Sequence, residues 1–178
     1  MIGISYPCHI TATTSFSAGS WLSDLPLNNL RNLDLAKVAR STNATSANTK
    51  FQIDWTSAKS ARVLCIVAHN LSSAATIRWK RGTTAGASDV YDSTDLNAWA
   101  ITPLAYNGKR HNAIIVAPST TSARYETIEF VDTGNSDGYV ELGFAWFGDL
   151  FVPTINAAYG LKDQLIDHGS VQRSESGA

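Results

Sequence analysis

The chain lacks most of what marks a catalytic, membrane or nucleic-acid protein. It has two cysteines in 178 residues, too few for a disulfide framework and without the CxxC spacing that zinc requires. Charged residues make up 16% of it, against ~25% in an ordinary globular protein. Lysine and arginine total 14 against 15 acidic residues. No basic excess is present to draw in nucleic acid, and no acidic tail appears. No apolar run approaches the ~18 residues that cross a membrane. Residues 1–16 have neither the basic nor the continuous apolar region of a signal peptide. The HExxH, GxSxG and GxxxxGK[ST] motifs are missing. The expectation is a soluble chain made in a cytosol, with no cofactor and neither membrane nor nucleic acid as partner.

Serine, threonine, asparagine and alanine fill the gap, as suits a β-rich protein with long polar loops. A chain of this length fits one domain and buries ~70% of its unfolded surface. Alternation of apolar and polar residues marks Phe51-Gln52-Ile53-Asp54-Trp55 and Thr76-Ile77-Arg78-Trp79-Lys80 as half-buried strands. The run from Val63 to Ala68 is apolar on both parities, as in a central strand covered on both faces. Strands are also expected at Ile10–Thr14, 37–41, 113–117, 125–131 and 140–147, the last launched by a turn at 135–138. Residues 24–36 bring Leu27, Leu30, Leu33 and Leu35 near one face and suggest one helical turn. Short strands with turns between them and hardly any helical period are the pattern of an all-β sandwich or jelly roll. The composition changes once, at Pro153. The expected organisation is therefore a sandwich over 1–152 and a C-terminal arm over 153–178 that cannot build its own core.

The order of segments PLNNL (26–30), KVARS (37–41), FQIDW (51–55), RVLCIVAHNLSSAATIRW (62–79) and DGYVELGFAWFGDLFVP (137–153) resembles a group of bacteriophage and prophage tail structural proteins. Those proteins carry a galactose-binding-like, discoidin-like jelly roll. His69-Asn70-Leu71-Ser72 and Gly138-Tyr139-Val140-Glu141-Leu142-Gly143 carry most of the likeness. The resemblance implies a non-enzymatic virion structural protein of the tail, made in the bacterial cytoplasm. It would act by assembling with other tail proteins or with copies of itself. Phe151, Pro153, Tyr159 and Leu161 are then the residues with which the arm would dock. An alternative, by analogy of fold, is a carbohydrate-binding module recognising host surface glycans. An enzyme such as a cell-wall hydrolase would need paired carboxylates in a cleft. Of Glu126, Glu129 and Glu141, alternation turns the last two outward.

Candidate contacts follow from position. His69 ends a buried strand. Its ring and Asn70 either touch a ligand or satisfy backbone groups where the strand turns, and the second reading is simpler. Trp21, Trp99 and Tyr106 lie in loops, where aromatic side chains can meet a sugar or a partner, or else cap the core. Trp55, Trp79 and Trp146 fall on the core-facing parity of their strands. Asp89, Asp92 and Asp95, at spacing three, are calcium candidates, since the resemblance implies a fold that sometimes holds a structural calcium. Their spacing does not match an ordered calcium loop, and a solvated acidic loop explains them more simply. The segment 132–138 is weighed the same way and reads as a hairpin turn. Arg40 and Asp54, on neighbouring strands, are expected to form a partly buried ion pair. Cys65 reads as a small buried side chain, with a bridge to Cys8 left open.

Overall fold

The computed structural model describes residues 3–101 and 111–152. In chain order its elements are β1 (Ile4–Ser5), β2 (Phe16–Ser17), a 3-10 turn (Leu27–Arg31), β3 (Ala39–Arg40), β4 (Lys50–Val67) and β5 (Thr76–Gly82). There follow β6 (Tyr91–Asp92), β7 (Leu96–Asn97), β8 (Asn112–Val131), β9 (Glu141–Leu142), β10 (Phe144–Gly148) and β11 (Leu150–Phe151).

Two of these strands make the fold. β4 and β8 are 18 and 20 residues long, and they pair antiparallel from Lys50↔Glu129 to Val67↔Asn112. A straight β4 would span ~60 Å. It bends instead. Inward alternation runs through Phe51, Ile53 and Trp55, stops over the exposed residues 56–60, and resumes at Ala61. The cause is local. The Asp54 carboxylate accepts the Thr56 N–H at 2.7 Å, and Thr56 adopts φ 63°, as the short polar turn requires. Further along the ladder, β8 carries Pro118 between Val116 and Thr121, the partners of Val63 and Ala61, and proline has no N–H to give the ladder. The register slips between Asp54 and Lys59 and again between Ala61 and Val63.

Folded at that bend, one ladder supplies both layers of a sandwich. Its first half is flanked by β2 on the β4 side and by β5, β6 and β7 on the β8 side. Its second half is extended by β10 along the far part of β4. The inner faces meet around Phe147, whose ring packs edge-on to Trp55 at 5.8 Å and to Trp79 at 6.1 Å. Ile66, Ile115, Ile128 and Phe130 complete the core. The architecture is the all-β jelly-roll sandwich that the strand pattern led us to expect.

Inside the bend lies a fully buried ion pair. Arg81 and Glu126 are both 0% exposed. The guanidinium Nε donates to the carboxylate at 3.0 Å. Its other nitrogens reach the carbonyls of Ala61 (2.6 Å), Thr121 (2.7 Å) and Lys59 (2.8 Å). The carboxylate also accepts the indole N–H groups of Trp79 at 2.8 Å and Trp55 at 3.2 Å. Burial raises the Glu126 carboxyl above its ordinary range, while Arg81 and the two indoles hold it down. Carbonyls that the slipped ladder leaves unpaired are thus satisfied by one side chain, as buried acceptors require.

Several local expectations are corrected. Ile10–Thr14 is not a strand; the N-terminal pairings fall at β1 and β2 instead. Leu27 and Leu30 are buried, but Leu33 and Leu35 are exposed, because the helical turn ends at Arg31. The expected strands 51–55 and 63–68 are one strand, as are 113–117 and 125–131. The segment 140–147 breaks at Gly143, where a Cβ would lie 2.8 Å from the Ala68 Cβ and 3.1 Å from the Val67 oxygen. Trp146 does not face the core. Its neighbours Ala145 and Phe147 do, and the Trp146 indole donates to Ser5 Oγ on the outer side. Arg40 pairs with Glu141, its cross-strand neighbour, and Asp54 with Arg124 at 2.8 Å, so the expected Arg40–Asp54 pair does not form. Both cysteines are free, and Cys65 is half-buried rather than enclosed.

Of the residues named for arm docking, Phe151 falls in a strand, β11. Leu150 and Phe151 pair with Ser5 and Ile4, so the chain just beyond Gly148 belongs to the sandwich. Phe151 keeps its side chain 65% exposed. Pro153, Tyr159 and Leu161 lie outside the described residues.

Candidate functional site: the loop end of the sandwich

The loops farthest from the bend gather at one end. The 68–75 loop leaves β4 through Ala68, at φ 56°, and meets the 132–140 loop that follows β8. Asp132 joins them: its carboxylate accepts the Ser72 N–H at 2.9 Å, the Ser72 hydroxyl at 2.5 Å and the Asn135 amide at 2.8 Å. The turn at 135–138 closes with Gly138 at φ 74°, a conformation that glycine adopts without cost.

Asn70 is the clamp. Its Nδ2 donates to Asp137 Oδ2 at 2.9 Å and to the Tyr139 carbonyl at 3.1 Å, while its Oδ1 accepts the Glu141 N–H at 2.8 Å. Every polar atom of the side chain is thereby spent on holding residues 137–141. His69 is buried. Its Nδ1 accepts the Leu71 N–H at 3.2 Å, so in the neutral ring Nε2 carries the hydrogen. That Nε2 has no hydrogen-bond partner among the described residues. Burial first, then the neighbouring His111, lowers the His69 pKa to about 4. The His69 ring thus satisfies one backbone group where the strand turns.

What the clamp presents to solvent is a compact polar and aromatic surface. Tyr139 is half-buried, and the Arg40 guanidinium lies over its ring at 4.2 Å from the centroid. Arg40 Nε donates to Glu141 Oε1 at 2.7 Å, and this ion pair raises the Arg40 pKa. Asp137 lies alongside, exposed, with one carboxylate oxygen engaged by Asn70. An aromatic face beside charged, planar donors and acceptors is suited to a ligand with both C–H faces and hydroxyl groups.

The candidates named from sequence converge here without all serving as contacts. Trp21 bridges to Ser41, next to Arg40, and its indole donates to the Lys50 carbonyl at 3.1 Å. The Trp99 indole donates to the Leu71 carbonyl at 2.9 Å. Both rings pack against the core and cap this end of it. Tyr106 lies outside the described residues. The calcium candidates do not converge. Asp92 forms a bidentate pair with Arg78, and Asp89 accepts the N–H and hydroxyl of Thr83. Among the described residues no group of three His, Cys, Asp or Glu side chains could hold a metal. Sequence reasoning missed the Arg40–Tyr139–Glu141 group, because its members are brought together by a strand pairing across 101 positions. The ion-pair proposal for Arg40 was the nearest signal.

No family model and no curated protein matches the chain. Solved structures do. A family 32 carbohydrate-binding module (CBM32) of AlyQ in complex with 4,5-unsaturated mannuronic acid shares 15% identity over 81% of this chain and 97% of its own, with TM-score 0.56. The family 32 module of C. perfringens NanJ in complex with galactose shares 9% over 82% and 98%, with TM-score 0.55. The lectin domain of lectinolysin complexed with Lewis B antigen shares 11% over 82% and 99%, with TM-score 0.56. The fold is thus the galactose-binding-like, discoidin-like jelly roll of such modules. The expected role as a phage-tail structural protein is corrected: these neighbours are carbohydrate-binding modules and lectin domains, and nothing among them points to a tail protein. The assembly mechanism that rested on that role is set aside with it.

Proposed function

We propose that this chain is a carbohydrate-binding module that holds a glycan at the loop end of its sandwich, without cleaving it. Tyr139 would supply the stacking face. Arg40, Asp137 and Glu141 would address ring hydroxyls, and Asn70 and Asp132 would keep the loops in place. The observation that carries this reading is the half-buried Arg40–Tyr139–Glu141 group at the loop end of a fold whose solved examples include complexes with galactose, Lewis B antigen and 4,5-unsaturated mannuronic acid. The fold also occurs within longer chains, among them one with CBM32 and alginate lyase domains, of which this chain matches 36%. A binding role beside a catalytic domain fits that pattern. The sandwich over 1–152 would be the binding unit.

The test is titration calorimetry with galactosides, fucosylated oligosaccharides and uronate oligosaccharides. Tyr139→Ala and Arg40→Met should each weaken binding tenfold or more, about 1.4 kcal/mol. Both should leave the fold intact, since an ion pair that still reaches solvent is worth ~1 kcal/mol or less. Absence of binding to all three classes, or unchanged affinity in both variants, would refute the proposal.

A further inference from the structure

The two outer faces of the sandwich differ in kind. Over the first half of the ladder the outer face is an array of ion pairs: Arg78 with Asp92, and Lys80 with Glu129, both at 2.6 Å. Over the second half it is apolar. Val63, Cys65, Val67, Ile114, Val116 and Trp146 line a groove of about 490 Å³ there. This is the second parity of the run from Val63 to Ala68, whose apolar character called for a cover. Among the described residues the cover is only partial. The β1–β11 ribbon forms one wall through Gly3, Ser5, Leu150 and Val152, and Val116 remains 50% exposed.

We infer that the chain's own C-terminal segment, residues 153–178, docks in this groove and completes the outer layer. Three observations select that occupant. Val152, from which the segment departs, is itself a wall of the groove. The first 14 residues of the segment, 153–166, carry Ile155, Tyr159, Leu161, Leu165 and Ile166, whereas 167–178 are almost wholly polar. Those 14 residues reach up to ~45 Å when extended, enough to follow the whole groove from its wall. A tether of zero length also gives this segment a local concentration that no free partner matches. The apolar surface is larger than a single exposed side chain and has the volume of a binding pocket.

Cys65 provides the readout, because it lines the groove. With Cys8→Ser as the background, the full-length chain retains one thiol, and its rate of alkylation by iodoacetamide reports cover over the groove. The variant Leu161→Asp/Leu165→Asp should raise that rate at least tenfold in the full-length chain, with circular dichroism unchanged. The protection should be independent of protein concentration. A rate unaffected by the two aspartates would overturn the inference. So would protection that rises with concentration and accompanies a dimer in light scattering, which would make a second copy the occupant. As an independent check, Val116→Asp in the groove should release the same protection while the segment keeps its natural sequence. No release there, in a folded protein, would also count against docking.

Discussion

Replacing both members of the buried Arg81–Glu126 pair by apolar residues should leave the protein clearly destabilised. This runs against the usual outcome, since a buried ion pair exchanged for hydrophobic residues of similar size is often neutral or stabilising by ~1–4 kcal/mol. The difference lies in what else the two side chains hold. Arg81→Met removes the donors to the Ala61, Thr121 and Lys59 carbonyls and strands a buried carboxylate, for a cost of ~3–5 kcal/mol. Glu126→Leu strands the guanidinium and the indole N–H groups of Trp55 and Trp79, for a similar cost. In Arg81→Met/Glu126→Leu no charge remains, yet the Ala61 carbonyl and both indoles stay buried and unpaired. At ~1 kcal/mol or more for each orphaned group, the double variant should lose about 3 kcal/mol. That is a large part of a total stability of ~5–15 kcal/mol. Urea unfolding at pH 7, followed by tryptophan fluorescence, measures it. A double variant within ~1 kcal/mol of the natural protein would refute the claim that the pair braces the bend beyond neutralising itself.

Two further outcomes are expected. His69 has a folded-state pKa of about 4 against an ordinary 6.5, so below pH 6.5 the unfolded chain takes up a proton that the folded chain refuses. Stability should be fully present above that pH and fall as the medium acidifies, by ~2 kcal/mol between pH 6.5 and 5. His69→Asn, which keeps the acceptor for the Leu71 N–H, should flatten that slope in urea titrations; an unchanged slope would assign it to other groups. Gly143→Ala places a methyl against the Ala68 Cβ and the Val67 carbonyl, neither of which can swing away. It should therefore cost ~1–3 kcal/mol, read as a lowered Tm, and a Tm within a degree of the natural protein would show that the strands separate more easily than their packing implies.

Much of the fold was legible because it is written at short range. Period-two alternation placed Ile53, Ile77, Trp79, Ile128 and Phe130 inside. The Asn135–Gly138 turn was legible from residues that tolerate its backbone. Parity failed for Trp146, since the break at Gly143 and the pairing with β4 decide which side of β10 faces in. Of the site, the loops were legible and the contacts were not. His69, Asn70, Trp21 and Trp99 were singled out and do gather at one end, but as its internal framework. The group facing solvent depends on Arg40 meeting Glu141.

The amino-acid sequence alone therefore determined an all-β chain, which segments are strands, and that the strand at Val63–Val67 would be apolar on both sides. These follow from side-chain period and turn chemistry, which act over a few residues. Tertiary structure decided that four expected strands are two halves of one bent ladder and that Arg81 reaches Glu126. It also set an apolar outer face opposite a charged one, and brought Arg40 over Tyr139. Each of these depends on contacts between residues tens of positions apart, and no local pattern encodes a register until the chain has closed on itself.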